Sequence, residues 1–184
     1  IPNVIHVRTW LEPKLKLLFD HYLGAGWLDD HDNLYVWELI DKIPDKQLWQ
    51  AHYWLKIKLI DAIRERCRKR WATERAGPSI VLAGGSMLDP SVLTIGFARR
   101  FAAYKRPDLL LHDPDRLERL LIHPERPVQI VIAGKAHPQD REGRELIRRW
   151  TAFARRPSLG GRVIFLEDYD LALAADLVQG VDLW

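Results

Sequence analysis

The sequence predicts an α/β protein in which a helical segment precedes part of a parallel β-sheet. Near-continuous apolar runs at Val92–Ala98, Val128–Ala133 and Arg162–Leu166 are typical of strands that a parallel sheet buries on both faces. Segments with a helical pattern separate these runs, and a further run begins at Val181. This alternation favours half of a Rossmann-like sheet, whose sites are expected at the carboxyl ends of the strands.

The predicted division places a helical lead-in at residues 1–90 and a partial Rossmann-like domain at residues 91–184. Apolar residues at helical spacing predict helices over Leu11–Leu23 and Leu34–Ile43. The longest predicted helix starts with Asp45 as its cap and continues to about Thr73.

That longest helix combines an apolar stripe with many cations. Lys56, Arg64 and Arg68 are expected on solvated faces, because Asp61 and Glu65 are interspersed among them. A nucleic-acid-binding helix is the alternative, but no aromatic–basic platform accompanies the charges. The stripe consists of Leu48, His52, Leu55, Leu59, Ala62, Ile63, Arg66 and Trp71.

The segments between the strands carry signals for turns and helix starts. Gly77–Pro90 is rich in Gly and Pro and predicts a loop between the two parts. Asp113 followed by Pro114 predicts a capped helix start in the first crossover. The second crossover helix is predicted over Asp140–Ala154, and the third begins near Asp170.

The composition excludes several classes of protein. The chain has 184 residues, 47% hydrophobic and 29% charged, which predicts a packed core and argues against disorder. The net charge of +3 is mildly basic. A single cysteine, Cys67, permits no internal disulfide, which favours a reducing compartment such as the cytoplasm. The histidines lack metal-ligand spacing, and no apolar run reaches the ~20 residues of a membrane span, so neither a metal site nor membrane insertion is predicted.

The stretch 93–107 organises the predicted site. It changes abruptly from an apolar strand to cations and then to Pro107, a residue favoured at the first position of a helix. A helix N-terminus offers free N–H groups and the positive end of a dipole, so the layout predicts an anion site there. A solvated basic turn is the alternative. The cations are Arg99, Arg100, Lys105 and Arg106.

The other strands also end on candidate residues. Gly134 is expected to permit a tight exit from the second strand. Lys135 is either another anion contact or an ion-pair partner for Glu167 or Asp168, and the sequence does not decide between these roles.

Four segments of the chain match the motifs of one enzyme family. Arg100-Phe-Ala-Ala-Tyr-Lys-Arg106 fits an Arg-x-x-x-Tyr-Lys-Arg phosphate-binding pattern, and the other matches follow the same order at Asn3–Trp10, Ile132–Ala136 and Val163–Tyr169. Together these segments resemble the α-glucan (glycogen, starch, maltodextrin) phosphorylases of bacterial type. The resemblance covers the whole chain, but only as a piece of the C-terminal half of a longer enzyme of the two-domain GT-B glycosyltransferase architecture.

The resemblance implies phosphorolysis of an α-1,4-glucan to glucose 1-phosphate with inorganic phosphate and pyridoxal 5′-phosphate (PLP). By residue match, the catalytic residues Arg100 and Lys105 hold the attacking phosphate. Asn3 matches a residue that hydrogen-bonds the glucosyl unit. The matches beside the cofactor are Trp10, Arg99, Lys105 and Tyr169.

The sequence also departs from the family pattern. Val4 replaces a glycine after Asn3, and Asp170 replaces an arginine of the animal enzymes. The family attaches PLP to a lysine in a Gly-rich segment that has no match here, so we expect an isolated chain without bound PLP and without activity. The chain begins with Ile1 rather than Met, and we expect it to be an internal piece of a longer enzyme. Its partners are therefore expected to include the missing halves of that enzyme. Homo-oligomerisation stays open.

Two rival functions stay open from the sequence. A glycogen or starch synthase that uses nucleotide sugars shares the architecture and a similar Arg…Lys pair. A non-catalytic remnant that only binds phosphate or glucan is the other. A nucleic-acid module, which would show salt-dependent affinity for DNA or RNA, is a third and disfavoured alternative, and no membrane partner is predicted.

Overall fold

The computed structural model describes residues 6–72 and 88–184, with the backbone alone at 70–72. Two regions singled out in the sequence, Asn3 with Val4 and most of the predicted loop at 77–90, therefore lie outside the described residues. The described chain begins with short helices and continues into one long helix and a parallel α/β unit. The α/β unit positions the candidate site.

The helical lead-in follows the predicted order with more breaks. The predicted helix at 34–43 is split, because only its first turn is α-helical and residues 38–42 form a 3-10 helix. Asp45 is the first residue of the long helix rather than its cap, since the carbonyl of Pro44 accepts from the N–H groups of Gln47 and Leu48. The α-helices are α1 (Val7–Trp10), α2 (Pro13–Leu23), α3 (Leu34–Trp37) and α4 (Asp45–Ala72).

The sheet contains three parallel strands, β1 (Leu93–Ala98), β2 (Val128–Ala133) and β3 (Val163–Leu166), in the order β1-β2-β3. Leu183 forms a parallel bridge to Ile95, and the N–H of Gly96 donates to the carbonyl of Leu183 at 2.8 Å. Because β2 occupies the other side of β1, the resulting order is 3-2-1-4, that of a doubly wound fold. The predicted strands and the parallel α/β class are confirmed.

Helices cover both faces of the sheet, as the apolar strands predicted. The crossover helices are α5 (Pro114–Leu121), α6 (Arg141–Ala154) and α7 (Leu171–Gly180). On one face, α4 and α7 pack with Val131 and Ile164 of the strands. On the other, α5 and α6 pack with Ile130, Ile132 and Val163. The predicted boundary at residue 90 stays a prediction, although α4 shares its core with the sheet.

The crossover helices begin at acidic caps. The carboxylates of Asp113, Asp140 and Asp170 accept hydrogen bonds from the N–H groups of Arg116, Gly143 and Leu173. These bonds satisfy donors that a helix start leaves free. The Asp113–Pro114 start and the third crossover helix are therefore confirmed.

The predicted helix start at Pro107 is wrong. Pro107 lies in a turn between two 3-10 helices, Ala103–Lys105 and Leu109–Leu111. Arg106 before it has φ 48°, a left-handed conformation that interrupts a helix. The buried indole of Trp150 donates to the carbonyl of Pro107 at 2.6 Å and fixes the turn. An anion site at this edge therefore has no α-helix N-terminus of its own at Pro107.

The solvated position expected for Lys56 is also wrong, whereas Arg64 and Arg68 are exposed as expected. Lys56 is 1% exposed, and its ammonium group lies 2.6 Å from a carboxylate oxygen of Asp182 and 3.0 Å from the carbonyl oxygen of Val92. A buried lysine is tolerated because both partners compensate its charge and its donors. The helical period placed Lys56 off the apolar stripe and could not show that the start of the fourth strand covers it.

Candidate functional site at the carboxyl edge of the sheet

The candidate site is built on the exit of β1. Strand order reverses between β1 and the segment at Leu183, and ligands of doubly wound sheets bind outside the carboxyl ends of the strands at such a switch point. Arg99 and Arg100 are the first two residues after β1, and both are exposed. Within residues 6–72 and 88–184, neither side chain forms an ion pair or a hydrogen bond. Their charges are therefore available to a ligand.

Phe101 anchors this exit. Its ring is fully buried and packs edge-on against Phe97 and Phe165 of the strands. Its N–H donates to the carbonyl of Lys135 at 3.0 Å, which joins the exit of β1 to that of β2. The loop that carries the two arginines is thus tied to the sheet at the next residue.

Gly134 makes the close approach of the two exits possible. Its φ is 153°, and a Cβ there would lie 2.2 Å from the carbonyl oxygen of Arg99 and 2.9 Å from the ring of Phe101. No side chain fits in that space. The tight exit predicted for Gly134 is confirmed, and its reason is contact with the β1 exit as well as the backbone angle.

Lys105 follows in the 3-10 helix at 103–105 and is half-buried. Its ammonium group lies 4.7 Å from the ring centroid of Tyr104, a cation–π contact that restrains the side chain. Tyr104 itself is 71% exposed. No carboxylate of the described chain pairs with Lys105, so its charge is also available to a ligand.

Tyr169 lies at the exit of β3, at the same edge of the sheet. It is half-buried against the core that α4 and α7 form, and burial raises the pKa of its phenol. Asp168 has φ 56°, and Asp170 starts α7. The backbone N–H of Leu173, followed by the guanidinium of Arg66, lowers the pKa of Asp170, while burial acts in the opposite direction.

Trp10 lies elsewhere. Its carbonyl accepts a hydrogen bond of 2.9 Å from Gln179, in the last turn of α7, whereas Tyr169 precedes the first turn of that helix. A helix of this length spans about 15 Å. The structure thus brings Arg99, Arg100 and Tyr169 to one edge of the sheet, with Lys105 in the 3-10 helix that follows the arginines, but it does not bring Trp10 to them.

Trp10 instead lines a largely apolar cavity of about 600 Å³ among α2, α4 and the end of α7. Its apolar walls include Phe19, Trp49 and Val178. Glu12 and His52 contribute polar groups. The cavity is at the end of α7 away from the cationic edge, and no sequence signal had indicated it.

Sequence reasoning missed two residues that shape the edge. Phe101 fixes the arginine pair, and Arg66 of α4 binds the loop after β3. A signal for Arg66 existed, because an arginine within an otherwise apolar stripe must find a polar partner inside the fold.

Among the residues that the structure describes, no group of three or more metal-ligating side chains comes together. No described helix is long and apolar enough to cross a membrane.

The fold and the edge define the chain as a doubly wound α/β segment with a cationic ligand edge. Along its whole length it is homologous to part of the glycogen and maltodextrin phosphorylases, which confirms the resemblance of the four motifs. It is 49% identical to a glycogen phosphorylase of Aquifex aeolicus over 184 residues, all of this chain and 27% of that protein.

Other curated relatives agree over the same 184 residues. A maltodextrin phosphorylase of Thermococcus litoralis is 39% identical, and the chain covers 22% of it. A glycogen phosphorylase of Mycobacterium tuberculosis is 37% identical, and the chain covers 21% of it. No protein-family model matches the chain. The chain thus spans about a quarter of the length of these relatives.

Proposed function

We propose that this chain is the phosphate-binding part of an α-1,4-glucan phosphorylase. The observation that carries the proposal is the pair of arginines at the switch point of the sheet, which have no partner in residues 6–72 and 88–184, in a chain with phosphorylase relatives along its whole length. The reaction breaks the bond between C1 of the terminal glucosyl unit and the glycosidic oxygen. Phosphate oxygen bonds to C1 with retained configuration, and the shortened glucan keeps the oxygen as a hydroxyl group.

Arg100 and Lys105 are the proposed ligands of the inorganic phosphate. An arginine offers a planar fork that suits a phosphate, and a lysine adds a compact positive charge. Both charges are free of internal carboxylate partners in the described chain. Phosphate binding therefore requires no ion pair to be broken first.

PLP suits the same edge, because its phosphate group requires cations and those of this edge have no carboxylate partner among the described residues. Arg99 and Tyr169 are the proposed contacts, with Lys105 shared between the two phosphates. The cofactor supplies a second phosphate group for acid–base chemistry beside the substrate phosphate. Two phosphates at close range repel each other, and the cluster of cations lowers that repulsion. Asn3 stays a proposed contact of the glucosyl unit. Trp10 stays a proposed cofactor contact by residue match alone, since its carbonyl is bonded at the end of α7 away from Tyr169.

The first experiment measures phosphate-dependent release of glucose 1-phosphate from maltodextrin. The assay uses a polypeptide of the relatives' full length that contains this sequence. Replacing Arg100 or Lys105 with alanine is expected to lower the rate about 10²–10³-fold, the loss typical of one group that stabilises transition-state charge. Arg119→Ala, at an exposed position of α5, is the matched control and should keep the wild-type rate. Wild-type rates in both test variants would refute the assignment.

The second experiment separates the proposal from its rivals. Calorimetry of this chain with inorganic phosphate and with maltoheptaose tests binding alone. Phosphate binding without glucose 1-phosphate release in the long polypeptide would favour the non-catalytic remnant. Glucan extension from a nucleotide sugar would favour the synthase. We propose a cytoplasmic enzyme, which the single cysteine supports.

A further inference from the structure

The loop after β3 has an unusual backbone. Asp168 adopts φ 56°, a left-handed conformation that is uncommon for residues with a Cβ, although aspartate tolerates it better than most. Tyr169 follows, and then Asp170, whose carboxylate caps α7. Asp168 is thus in a left-handed conformation directly before Tyr169, and the extended N-cap Asp170 directly follows it.

One guanidinium holds this loop on both sides of Tyr169. Nη1 of Arg66 donates to the carbonyl of Asp168 at 3.2 Å, and Nη2 donates to a carboxylate oxygen of Asp170. The Arg66 side chain is 30% exposed, so most of it lies against the protein. Two donors in a rigid plane can satisfy both acceptors together, which a single flexible ammonium group does poorly.

Asp170 connects this fork to the start of α7. One of its oxygens binds Arg66 while the other accepts from the N–H of Leu173 at 2.7 Å. The carboxylate is therefore used within the chain rather than directed at the cationic edge.

We propose that Arg66 is a positioning residue that fixes the loop at 168–170 and thereby holds Tyr169 at the carboxyl edge. Arg66 touches neither substrate nor cofactor in this proposal; it acts through the loop. The importance for catalysis rests on the proposed function, in which Tyr169 contacts the cofactor. The effect on the loop does not depend on that function.

The test uses Arg66→Met, which keeps the aliphatic part and removes both donors, and Arg66→Lys, which keeps the charge but not the fork. Arg68→Met is the matched control, because Arg68 lies on the same helix and binds Glu65 through two bonds away from the loop. NMR measures the amide exchange of Leu173. It also measures the ionisation of the Tyr169 phenol in protein labelled at the tyrosine ring and assigned with Tyr169→Phe.

We expect Leu173 to exchange about tenfold or more faster in Arg66→Met than in the control, because the loss of charge-assisted bonds frees Asp170. The pKa of Tyr169 is expected to fall toward its ordinary value as the ring leaves its half-buried position. Arg66→Lys should keep part of the wild-type protection of the Leu173 amide and part of the raised pKa of Tyr169. Wild-type exchange and wild-type titration of Tyr169 in Arg66→Met would overturn the proposal.

A third measurement distinguishes this proposal from the proposed function. The affinity for PLP is measured by equilibrium dialysis with the long polypeptide. A tenfold or greater loss in Arg66→Met supports the positioning role. A mobile loop with unchanged PLP affinity overturns that role and leaves Arg66 as a stabiliser of α7. If the wild type binds neither PLP nor phosphate, the proposed function fails, and the exchange and titration results still decide whether Arg66 fixes Tyr169.

Discussion

The cations at the two edges of the sheet differ in burial and in pairing. At the amino edge, Lys56 is 1% exposed and contacts a carboxylate and a carbonyl. At the carboxyl edge, Arg99 and Arg100 are exposed and have no partner in the described chain. The same kind of charge thus stabilises the fold at one edge and is available to a ligand at the other.

The partners explain the difference. Asp182, the partner of Lys56, also accepts from the N–H of Thr94 at 2.6 Å and contacts a ring nitrogen of His52 at 2.7 Å. This network joins α4 to the start of the fourth strand. It uses the charge of Lys56 completely, whereas a bound anion is the natural partner for the free arginines. Counting cations in the sequence cannot separate these two roles.

Of the substitutions considered, the removal of Lys56 is expected to lower the free energy of unfolding most. Lys56→Met leaves the Asp182 carboxylate, 11% exposed, without its cation, and breaking one side of a buried ion pair costs about 3–5 kcal/mol. Urea unfolding followed by circular dichroism measures the loss of stability. Lys46→Met, at an exposed position in the first turn of the same helix, is the control. Equal stability of the two variants would show that the amino edge does not depend on this pair.

The carboxyl edge is predicted to be sensitive to backbone packing rather than to charge. Gly134→Ala places a methyl group against the carbonyl of Arg99, so we expect a loss of about 1–3 kcal/mol from overpacking. Gly26→Ala is the control, since a Cβ there meets no atom within 4 Å. A urea unfolding midpoint of Gly134→Ala equal to that of the wild type would contradict the close approach of the two strand exits.

Much of the fold could be predicted from the sequence, because near-continuous apolar runs indicate buried parallel strands. All three strands and the acidic start of α7 were predicted, since each depends on local signals. Pro107 and Lys56 were predicted wrongly because their positions depend on distant residues. The indole of Trp150 fixes the turn at Pro107, and Asp182 covers Lys56. Arg66 shows the same limit, since its acceptors lie about a hundred positions further along the chain.

The stability that the amino-edge network provides should decrease at low pH. Burial alone would raise the pKa of Asp182, but hydrogen bonds from Lys56, Thr94 and His52 outweigh it and lower the pKa below its usual value. A carboxylate with a lowered pKa contributes stability above its unfolded-state pKa of about 3.9 and loses it as the pH falls through the folded-state value. We therefore expect the free energy of unfolding to fall below about pH 4, and less steeply in Asp182→Asn.

Asp176 of α7 is a suitable control, because its pKa is shifted in the opposite direction from that of Asp182. Burial raises its pKa, so its contribution is greatest at low pH and is lost as the pH rises through the folded-state pKa. Asp176→Asn should therefore steepen the loss of stability in acid, whereas Asp182→Asn reduces it. Urea unfolding at a series of pH values between 2 and 7 measures both differences. Parallel curves for the two variants would contradict the opposite environments of these carboxylates.

Arg100→Met is expected to have the smallest effect on stability. A small effect would show that the folded chain does not use this arginine, in contrast to Lys56. An exposed side chain without an internal partner contributes little, so the free energy of unfolding should change by less than about 0.5 kcal/mol. Inorganic phosphate should raise the thermal midpoint of the wild type, because a ligand that binds only the folded state stabilises it. In Arg100→Met that increase should be smaller, while Arg119→Met should keep it. A loss of stability in Arg100→Met comparable to that of Lys56→Met would mean that the folded chain already uses this arginine, and the distinction between the two edges would fail.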